Sequence, residues 1–118
     1  MKTTILDILN GQAALEKLVG QEVKISAAFR LSKLIKEINE ELQLFEEHRQ
    51  SLVKKYGDEQ EDGNVVIPED KLEEFQTEFN ELLTTEVDLK HDPIAVDDLG
   101  DVEMTTAELL LIEKFLTE

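Results

Sequence analysis

The chain has 118 residues, a formal net charge of −16, 34% charged residues and no cysteine. This length suits one domain covering residues 1–118, and the lack of cysteine excludes disulfides and thiolate metal sites. The acidic balance argues against direct nucleic-acid binding through phosphates, and without a long apolar run we expect neither a membrane span nor a secretory leader.

The first predicted element is a short N-terminal helix. Asn10 is a favourable capping residue, because its side chain can accept a hydrogen bond from an amide of the first turn. We expect the helix to continue through Val19 and to stop at Gly20. Its apolar residues recur at helical spacing and are expected to face the core: Ala14, Leu15 and Leu18.

A long helix is predicted from about Ala27 to Tyr56. Ser26 can cap its start in the same way, and Gly57 suits the left-handed conformation that often ends a helix. At 1.5 Å per residue the helix is about 45 Å long, which exceeds what one short neighbouring helix can cover.

The apolar residues of the long helix form a ladder with alternating steps of four and three: Leu31, Ile35, Ile38, Leu42, Phe45, Leu52 and Tyr56. Arg49 interrupts the ladder, and we expect it to reach the surface or to pair with a carboxylate from the second half of the chain. A narrow stripe of this length is typical of a helical hairpin or a coiled-coil seam. We therefore predict a self-association seam formed by Leu31, Ile35, Ile38, Leu42, Phe45 and Arg49.

A second clear helix is predicted from Glu69 to Thr84. Pro68 is well tolerated at its entrance, where a missing amide hydrogen costs little. Its apolar residues repeat the three-four spacing: Leu72, Phe75, Phe79, Leu82 and Leu83. We expect this helix to fold back antiparallel onto the C-terminal part of the long helix, across a mobile loop at residues 57–64.

The remaining segments predict short strands and a C-terminal helix. Residues 65–67, 86–89 and 94–96 are apolar and brief, which favours a two- or three-stranded sheet at one end of the helices. Thr105 and Glu108 have the spacing of a capping box, and an apolar stripe from Leu109 to Leu116 follows them. The predicted fold is mainly α, of the α+β type, with the long helix packed antiparallel on the second.

The segment after the long helix matches a calcium-binding loop in part, with oxygen donors and a glycine at the expected positions: Asp58, Gln60, Asp62, Gly63 and Glu69. Gln60 is neutral where a carboxylate or Asn is usual, Val66 cannot donate an oxygen from its side chain, and Pro68 is unusual inside such a loop. An acidic turn at Asp62-Gly63 explains the same residues. We favour the turn, and we predict no metal and no cofactor.

No arrangement of residues predicts catalysis. The serines, Ser26, Ser32 and Ser51, lie on or beside the long helix, and none occupies a strand-to-helix elbow where an activated nucleophile would be exposed. His48 and His91 are too far apart in sequence to predict a metal site without a third ligand. Adjacent carboxylates are so frequent that no pair is distinguished as an acid–base couple. We predict that the protein is not an enzyme.

The negative charge belongs to the second half of the chain. Residues 1–57 contain nine Lys and Arg against eight Asp and Glu, whereas residues 58–118 contain three against twenty. The excess indicates either a solvated face that maintains solubility or a surface that binds a basic site on another protein. The candidate residues of such a surface are Asp58, Glu59, Glu61, Asp62, Glu73, Glu74, Glu78, Asp97, Asp98 and Asp101.

The order and texture of these elements resemble a family of small, uncharacterised acidic proteins encoded by tailed phages and prophages of Gram-positive bacteria. The resemblance spans nearly the whole chain and is carried by Ala14-Leu15, Lys17-Leu18, Lys33, Glu41 through Phe45, Tyr56-Gly57, Val66 through Glu69, Leu82-Leu83, Glu86-Val87, Asp98-Leu99 and the helix from Leu109 to Leu116. It implies a phage origin and action in the cytoplasm of an infected or lysogenic bacterium or within a virion. It implies no activity, cofactor or site residue.

Three functional hypotheses follow. The first is a non-enzymatic phage accessory protein that acts through protein–protein contacts and forms homo-oligomers through the seam. The second is an acidic inhibitor of a host defence enzyme or a nucleic-acid-binding enzyme. The acidic half of the inhibitor would occupy a basic groove of that enzyme, and binding would weaken as the salt concentration rises. The third is a virion or assembly component, which would be present in purified particles.

Overall fold

The computed structural model describes residues 1–117, and it is mainly helical, as predicted. In chain order the elements are β1 (Lys2–Thr4), α1 (Ile5–Val19), α2 (Ile25–Tyr56), β2 (Asp58–Glu59), β3 (Val65–Val66), α3 (Glu69–Leu83), β4 (Glu86–Asp88), β5 (Ile94–Ala95), α4 (Val96–Leu99), α5 (Thr106–Ile112), a 3₁₀ turn (Glu113–Phe115) and β6 (Leu116–Thr117). Within residues 1–117, no helix is long and apolar enough to cross a membrane.

The N-terminal helix begins earlier than predicted. Thr4 is its N-cap, and its side-chain oxygen accepts a hydrogen bond from the Asp7 amide at 3.2 Å. The prediction that Asn10 caps this helix is therefore wrong, because Asn10 lies in its middle. The predicted end is confirmed, since α1 stops at Val19.

The extent of α2 is close to the prediction, and Gly57 ends it as predicted, but the predicted N-cap and the left-handed conformation of Gly57 are wrong. Lys24 holds the N-cap position without a side-chain bond, and Ser26 lies inside the first turn. Gly57 has an extended backbone (φ −91°, ψ 152°) because the chain leaves the helix directly into β2. Glycine is needed there for space: a Cβ would lie 2.3 Å from Val65 Cγ1 and 2.5 Å from the Val53 carbonyl oxygen.

The helices build a body and an arm. In the body, α1 packs against both α5 and α2, and the largest fully buried side chains all lie there: Ile8, Leu15, Leu18, Leu34, Ile38, Leu89, Ile94, Ile112 and Phe115. The arm, residues 45–83, comprises the end of α2, the β2–β3 hairpin and α3. The chain measures 51 × 28 × 24 Å, and α2, at about 48 Å, spans its length.

An aromatic cluster fixes α3 antiparallel on α2. The Phe45 and Phe79 ring centroids are 6.1 Å apart, those of Tyr56 and Phe75 are 6.3 Å apart, and Phe75 stacks on Phe79 at 5.8 Å. Within residues 69–83, no side chain is fully buried. The arm is therefore held by one half-buried layer, whereas the body has a closed core.

The predicted strand segments are confirmed as β3, β4 and β5, but they form three two-stranded sheets instead of one. β1 pairs antiparallel with β4, β2 pairs antiparallel with β3, and β5 pairs parallel with β6. The residues 57–64, predicted as a mobile loop, include strand β2 and the turn of this hairpin. Gly63 takes φ 87°, which agrees with the predicted Asp62-Gly63 turn.

Two ion pairs attach the C-terminal segment to α1. Lys17 Nζ donates to Glu108 Oε1 at 2.8 Å, and Lys114 Nζ donates to Asp7 Oδ2 at 2.6 Å. The predicted capping box is confirmed, with Thr105 and Glu108 each accepting a hydrogen bond from the other's amide. Lys17, together with the Thr105 amide, lowers the pKa of Glu108 to about 2. The Lys114 contact lowers the pKa of Asp7 as well.

These lowered pKa values predict acid-sensitive docking of α5. A carboxylate with a lowered pKa stabilises the fold above its unfolded pKa, about 4.3 for Glu, and this contribution is lost as the pH falls towards about 2. We expect Glu108→Gln, which keeps the capping geometry, to flatten the fall in urea midpoint over this range. The exposed Glu113→Gln is the control and should behave as wild type. Equal acid sensitivity of both variants would contradict the assignment.

Candidate protein-binding surfaces

Other parts of the chain pack over the apolar ladder of α2. Leu31, Ile38 and Phe45 are buried in the core, and Ile35 and Leu42 are partly buried against it. These residues pack in or against the chain's own core, which leaves little of the predicted seam exposed, and self-association itself stays a prediction. Other surfaces of the molecule are more exposed.

Arg49, the sixth residue of the predicted seam, pairs within its own helix. Its guanidinium donates two hydrogen bonds to the Glu46 carboxylate, one turn earlier. Of the two expectations for Arg49, pairing with a carboxylate from the second half is wrong, whereas its side chain does reach the surface, with 40% exposure. This guanidinium lowers the pKa of Glu46, and both side chains remain partly exposed.

The ten predicted partner-binding carboxylates do not form one surface. Seven lie on the arm: Asp58, Glu59, Glu61, Asp62, Glu73, Glu74 and Glu78. Asp97, Asp98 and Asp101 lie at the other end of α2, where Arg30 Nη1 donates to Asp98 Oδ2 at 3.3 Å. Arg30 and Tyr56 are separated by about 39 Å along the helix. The single acidic surface predicted from the sequence is therefore two groups at opposite ends.

Two of the seven arm carboxylates have structural contacts. Lys55 Nζ donates to Glu78 Oε1 at 3.0 Å, which links α2 to α3 and lowers the pKa of Glu78. Asp62 accepts a hydrogen bond from the Asn64 amide at 3.1 Å and shapes the hairpin turn. Within residues 1–117, the other five carboxylates of this set make no ion pair, and all five are exposed. They are Asp58, Glu59, Glu61, Glu73 and Glu74.

The end of the arm also exposes apolar side chains. Val65, Val66 and Leu72 are 44%, 53% and 39% exposed. Val65 and Val66 lie opposite Glu59 and Asp58 across the hairpin, and Leu72 lies in the first turn of α3. Exposed apolar side chains together with exposed polar ones are common in protein–protein interfaces. We call these three residues and the five unpaired carboxylates the arm surface.

A second exposed surface lies at the start of α2. Ile25 is 89% exposed and Phe29, one turn later, is 62% exposed. The Lys33 ammonium lies 4.5 Å from the centre of the Phe29 ring. Lys24, Lys33 and Lys36 make no ion pair within residues 1–117. We call these five residues the basic patch.

The sequence prediction missed the basic patch because it followed only the apolar ladder, which lies on the buried face of α2. A helical projection contains the signal, since Ile25 lies about 180° from Leu34 at 100° per residue. Two large apolar side chains opposite a buried stripe predict an exposed apolar patch.

Ser32, Ser51 and His91 make structural contacts. Ser32 and Ser51 donate to carbonyl oxygens of their own helix, at 2.8 and 3.1 Å. Glu37 accepts a hydrogen bond from the Lys90 amide at 2.5 Å, and its other oxygen lies 2.5 Å from His91 Nδ1. This carboxylate fixes the loop after β4 on α2. Within residues 1–117, no three His, Asp or Glu side chains come together as a metal site, including at the calcium-like segment.

No protein-family model, no curated protein and no solved structure matches the chain. The resemblance to the phage family therefore stays a prediction.

Proposed function

We propose that this protein acts without catalysis, by binding another protein through the arm surface. The observation that carries the proposal is the combination of five exposed, unpaired carboxylates with Val65, Val66 and Leu72 at the free end of the arm. The partner chemistry that fits is a surface with both basic and apolar side chains, because the arm carboxylates then gain cations and the exposed apolar side chains leave water.

The packing of the arm supports this role. The Phe45, Phe75, Phe79 and Tyr56 rings hold α3 at a fixed position on α2, so the acidic side chains are presented on ordered backbone. A preorganised surface loses less entropy on binding than a disordered acidic tail. The concentration of like charge also speeds the approach of a basic partner.

We further propose that the protein is a phage accessory protein that works in the cytoplasm of an infected or lysogenic bacterium. The support is the resemblance in element order described above. A virion or assembly role is the alternative, and detection of the chain in purified particles separates the two.

A second candidate function is inhibition of a host defence or nucleic-acid-binding enzyme. The observation that favours it is the outward face of α3, where Asp70, Glu73, Glu74 and Glu81 are exposed. Such a row of carboxylates can occupy a groove that binds phosphates. Competition between the protein and a nucleic acid for a captured enzyme would support inhibition over simple docking.

Charge reversal on the arm tests the proposed function. We expect Glu73→Lys/Glu74→Lys to lose the proteins that the wild type captures from a Gram-positive lysate at about 150 mM salt, and we expect the wild type to release them at about 500 mM. Glu16→Lys/Glu22→Lys changes the net charge equally on exposed positions of the body and should capture as the wild type does. Identical captures by all three proteins would contradict a role for the arm.

A further inference from the structure

Backbone hydrogen bonds alternate along the β1–β4 sheet. At one end the Leu89 amide donates to the Met1 carbonyl at 2.8 Å, and the Met1 ammonium donates to the Leu89 carbonyl at 2.7 Å. At the other end the Ile5 amide donates to the Thr85 carbonyl at 3.2 Å. Bonded and non-bonded residue pairs alternate along an antiparallel ladder, so the pairs next to these two do not exchange bonds.

The backbone of Glu86 and Asp88 is therefore unpaired. These residues lie opposite Thr4 and Lys2 in the non-bonded pairs, and their amides and carbonyls point away from β1. Within residues 1–117, none of these four groups takes part in a hydrogen bond. β4 thus presents two amide donors and two carbonyl acceptors along a free edge.

A mainly apolar groove of about 470 Å³ lies beside this strand. It is lined by residues 85–88 and by side chains of the helices that surround β4, among them Leu44, Phe45 and Leu82. Leu44 is half exposed, so part of the apolar lining is in contact with water. A chain segment that paired with the free edge would cover this lining and remove it from water.

Side chains alternate between the two faces of a strand, which sets what a paired segment must carry. Val87 is buried on the inner face of β4, whereas Glu86 and Asp88 are exposed on the outer face. A residue opposite Val87 faces the groove and is therefore apolar. Its neighbour in sequence lies opposite Glu86 on the outer face, where a polar side chain is favoured.

Charge at the edge favours a basic residue at that outer position. Asp88 has the N-terminal ammonium 3.8 Å away and Lys2 opposite it in the register. Glu41, on α2, also borders a neighbouring pocket that three lysines line. Among residues 1–117, His48 is the one basic side chain that lines the groove, and Glu86 makes no ion pair. Glu86 is therefore the carboxylate that a cation of the partner can engage.

We propose that the free edge of β4 binds an extended segment of another protein, which adds a third strand to the β1–β4 sheet. The segment carries an apolar residue that enters the groove beside Leu44 and, next to it, a basic residue opposite Glu86. A second copy of this chain fits poorly, because antiparallel pairing of two β4 strands around Val87 places Glu86 of one copy opposite Asp88 of the other. This binding site is independent of the arm surface.

Amide exchange measured by NMR tests the free edge directly. We expect the Glu86 and Asp88 amides to exchange quickly in the free protein and the Val87 amide slowly, because only the last is bonded within the sheet. A capped peptide of sequence Ser-Lys-Ile-Thr-Ser, at up to about 2 mM to suit weak binding, should slow the first two and leave Val87 unchanged. Slow exchange of Glu86 and Asp88 without the peptide, or no change on its addition, overturns the proposal.

Two further peptides test the side-chain pattern. Ser-Lys-Ser-Thr-Ser lacks the apolar residue, and we expect it to bind about tenfold more weakly. Ser-Glu-Ile-Thr-Ser places a like charge opposite Glu86 and should bind about fivefold more weakly. Equal binding of all three peptides would show that the site does not select this pattern, and the proposed occupant would be wrong.

Glu86→Pro removes one amide of the free edge. Proline is tolerated at the first residue of an edge strand when its nitrogen faces solvent, so the slow exchange of the Val87 amide should persist. We expect this variant to bind Ser-Lys-Ile-Thr-Ser about tenfold more weakly, whereas Glu86→Gln keeps the amide and should lose no more than about threefold. Equal binding by the proline variant and the wild type contradicts strand addition, and so does a wild-type dimer that this substitution dissociates.

Leu44→Ala tests the groove without changing the strand. We expect it to bind Ser-Lys-Ile-Thr-Ser about fivefold more weakly, because less apolar area leaves water. Leu110→Ala, at an exposed leucine of α5 outside the groove, is the matched control and should bind as the wild type does. Glu73→Lys/Glu74→Lys should also bind this peptide normally, since the arm surface takes no part. Wild-type binding by Leu44→Ala would show that the apolar residue does not enter this groove and would overturn the proposal.

Discussion

Leu34→Ala should lower the free energy of unfolding by about 2–5 kcal/mol, one of the two largest effects that we expect from a single substitution. Leu34 is fully buried on α2, where α1 packs against the first half of that helix. The loss combines the transfer free energy of the removed methyl groups with the cost of the cavity that rigid neighbours leave open. In a chain of this size the melting temperature should fall by roughly 10–20 °C.

Leu44→Ala is the matched control for this prediction. Leu44 lies on the same helix and is 51% exposed, so its truncation should change the free energy of unfolding by no more than about 0.5 kcal/mol. Urea unfolding measures both, with a lower midpoint and an unchanged slope expected for Leu34→Ala. Equal losses for the two leucines would show that α1 does not pack where the structure places it.

Leu34 is also a buried residue that the sequence prediction missed. The four-three ladder runs through Ile35 and Leu42, which the structure leaves only partly buried, and omits Leu34, which is fully buried. A strict seven-residue repeat drifts about 20° per heptad on a straight helix of 3.6 residues per turn. The face of α2 that packs against α1 therefore differs from the face that packs against α3. Periodicity found the helix and its apolar side, but only the packing partners set the exact face.

The predicted N-cap of α1 failed for a related reason. Thr4 and Asn10 are both good capping residues, and the apolar residues between them suit a strand as well as a helix. Thr4 is the N-cap because the residues before it form β1, which pairs with β4 more than eighty residues later. A pairing over that separation leaves no local signal in the sequence. For the same reason β3, β4 and β5 were predicted, but their partners β2, β1 and β6 were not.

The sequence predicted the acidic character of the candidate surface but not how its carboxylates are arranged in space. The sequence located the acidic excess in the second half, and the arm does carry seven of the ten named carboxylates. It could not show that Asp97, Asp98 and Asp101 lie at the opposite end, because they approach the start of α2 only through the tertiary fold. Nor could it show that Glu78 is engaged by Lys55, a contact between α2 and α3.

Phe45→Ala should cost about 3–5 kcal/mol, and its effect should be greatest in the arm. Phe45 is buried where the arm leaves the body, with its ring 6.1 Å from that of Phe79. Since α3 has no fully buried side chain, this aromatic layer is its main attachment. Amide hydrogen exchange should therefore accelerate in α3 before it accelerates in α1.

Phe29→Ala provides the comparison on the same helix with the same chemistry. Phe29 is 62% exposed, so its removal should leave the free energy of unfolding within about 0.5 kcal/mol of the wild type. A large loss on Phe29→Ala would mean that this ring contributes to the fold. The two phenylalanines thus distinguish the two faces of α2. The inward ring of Phe45 holds the arm against α2, and the outward ring of Phe29 is exposed to solvent.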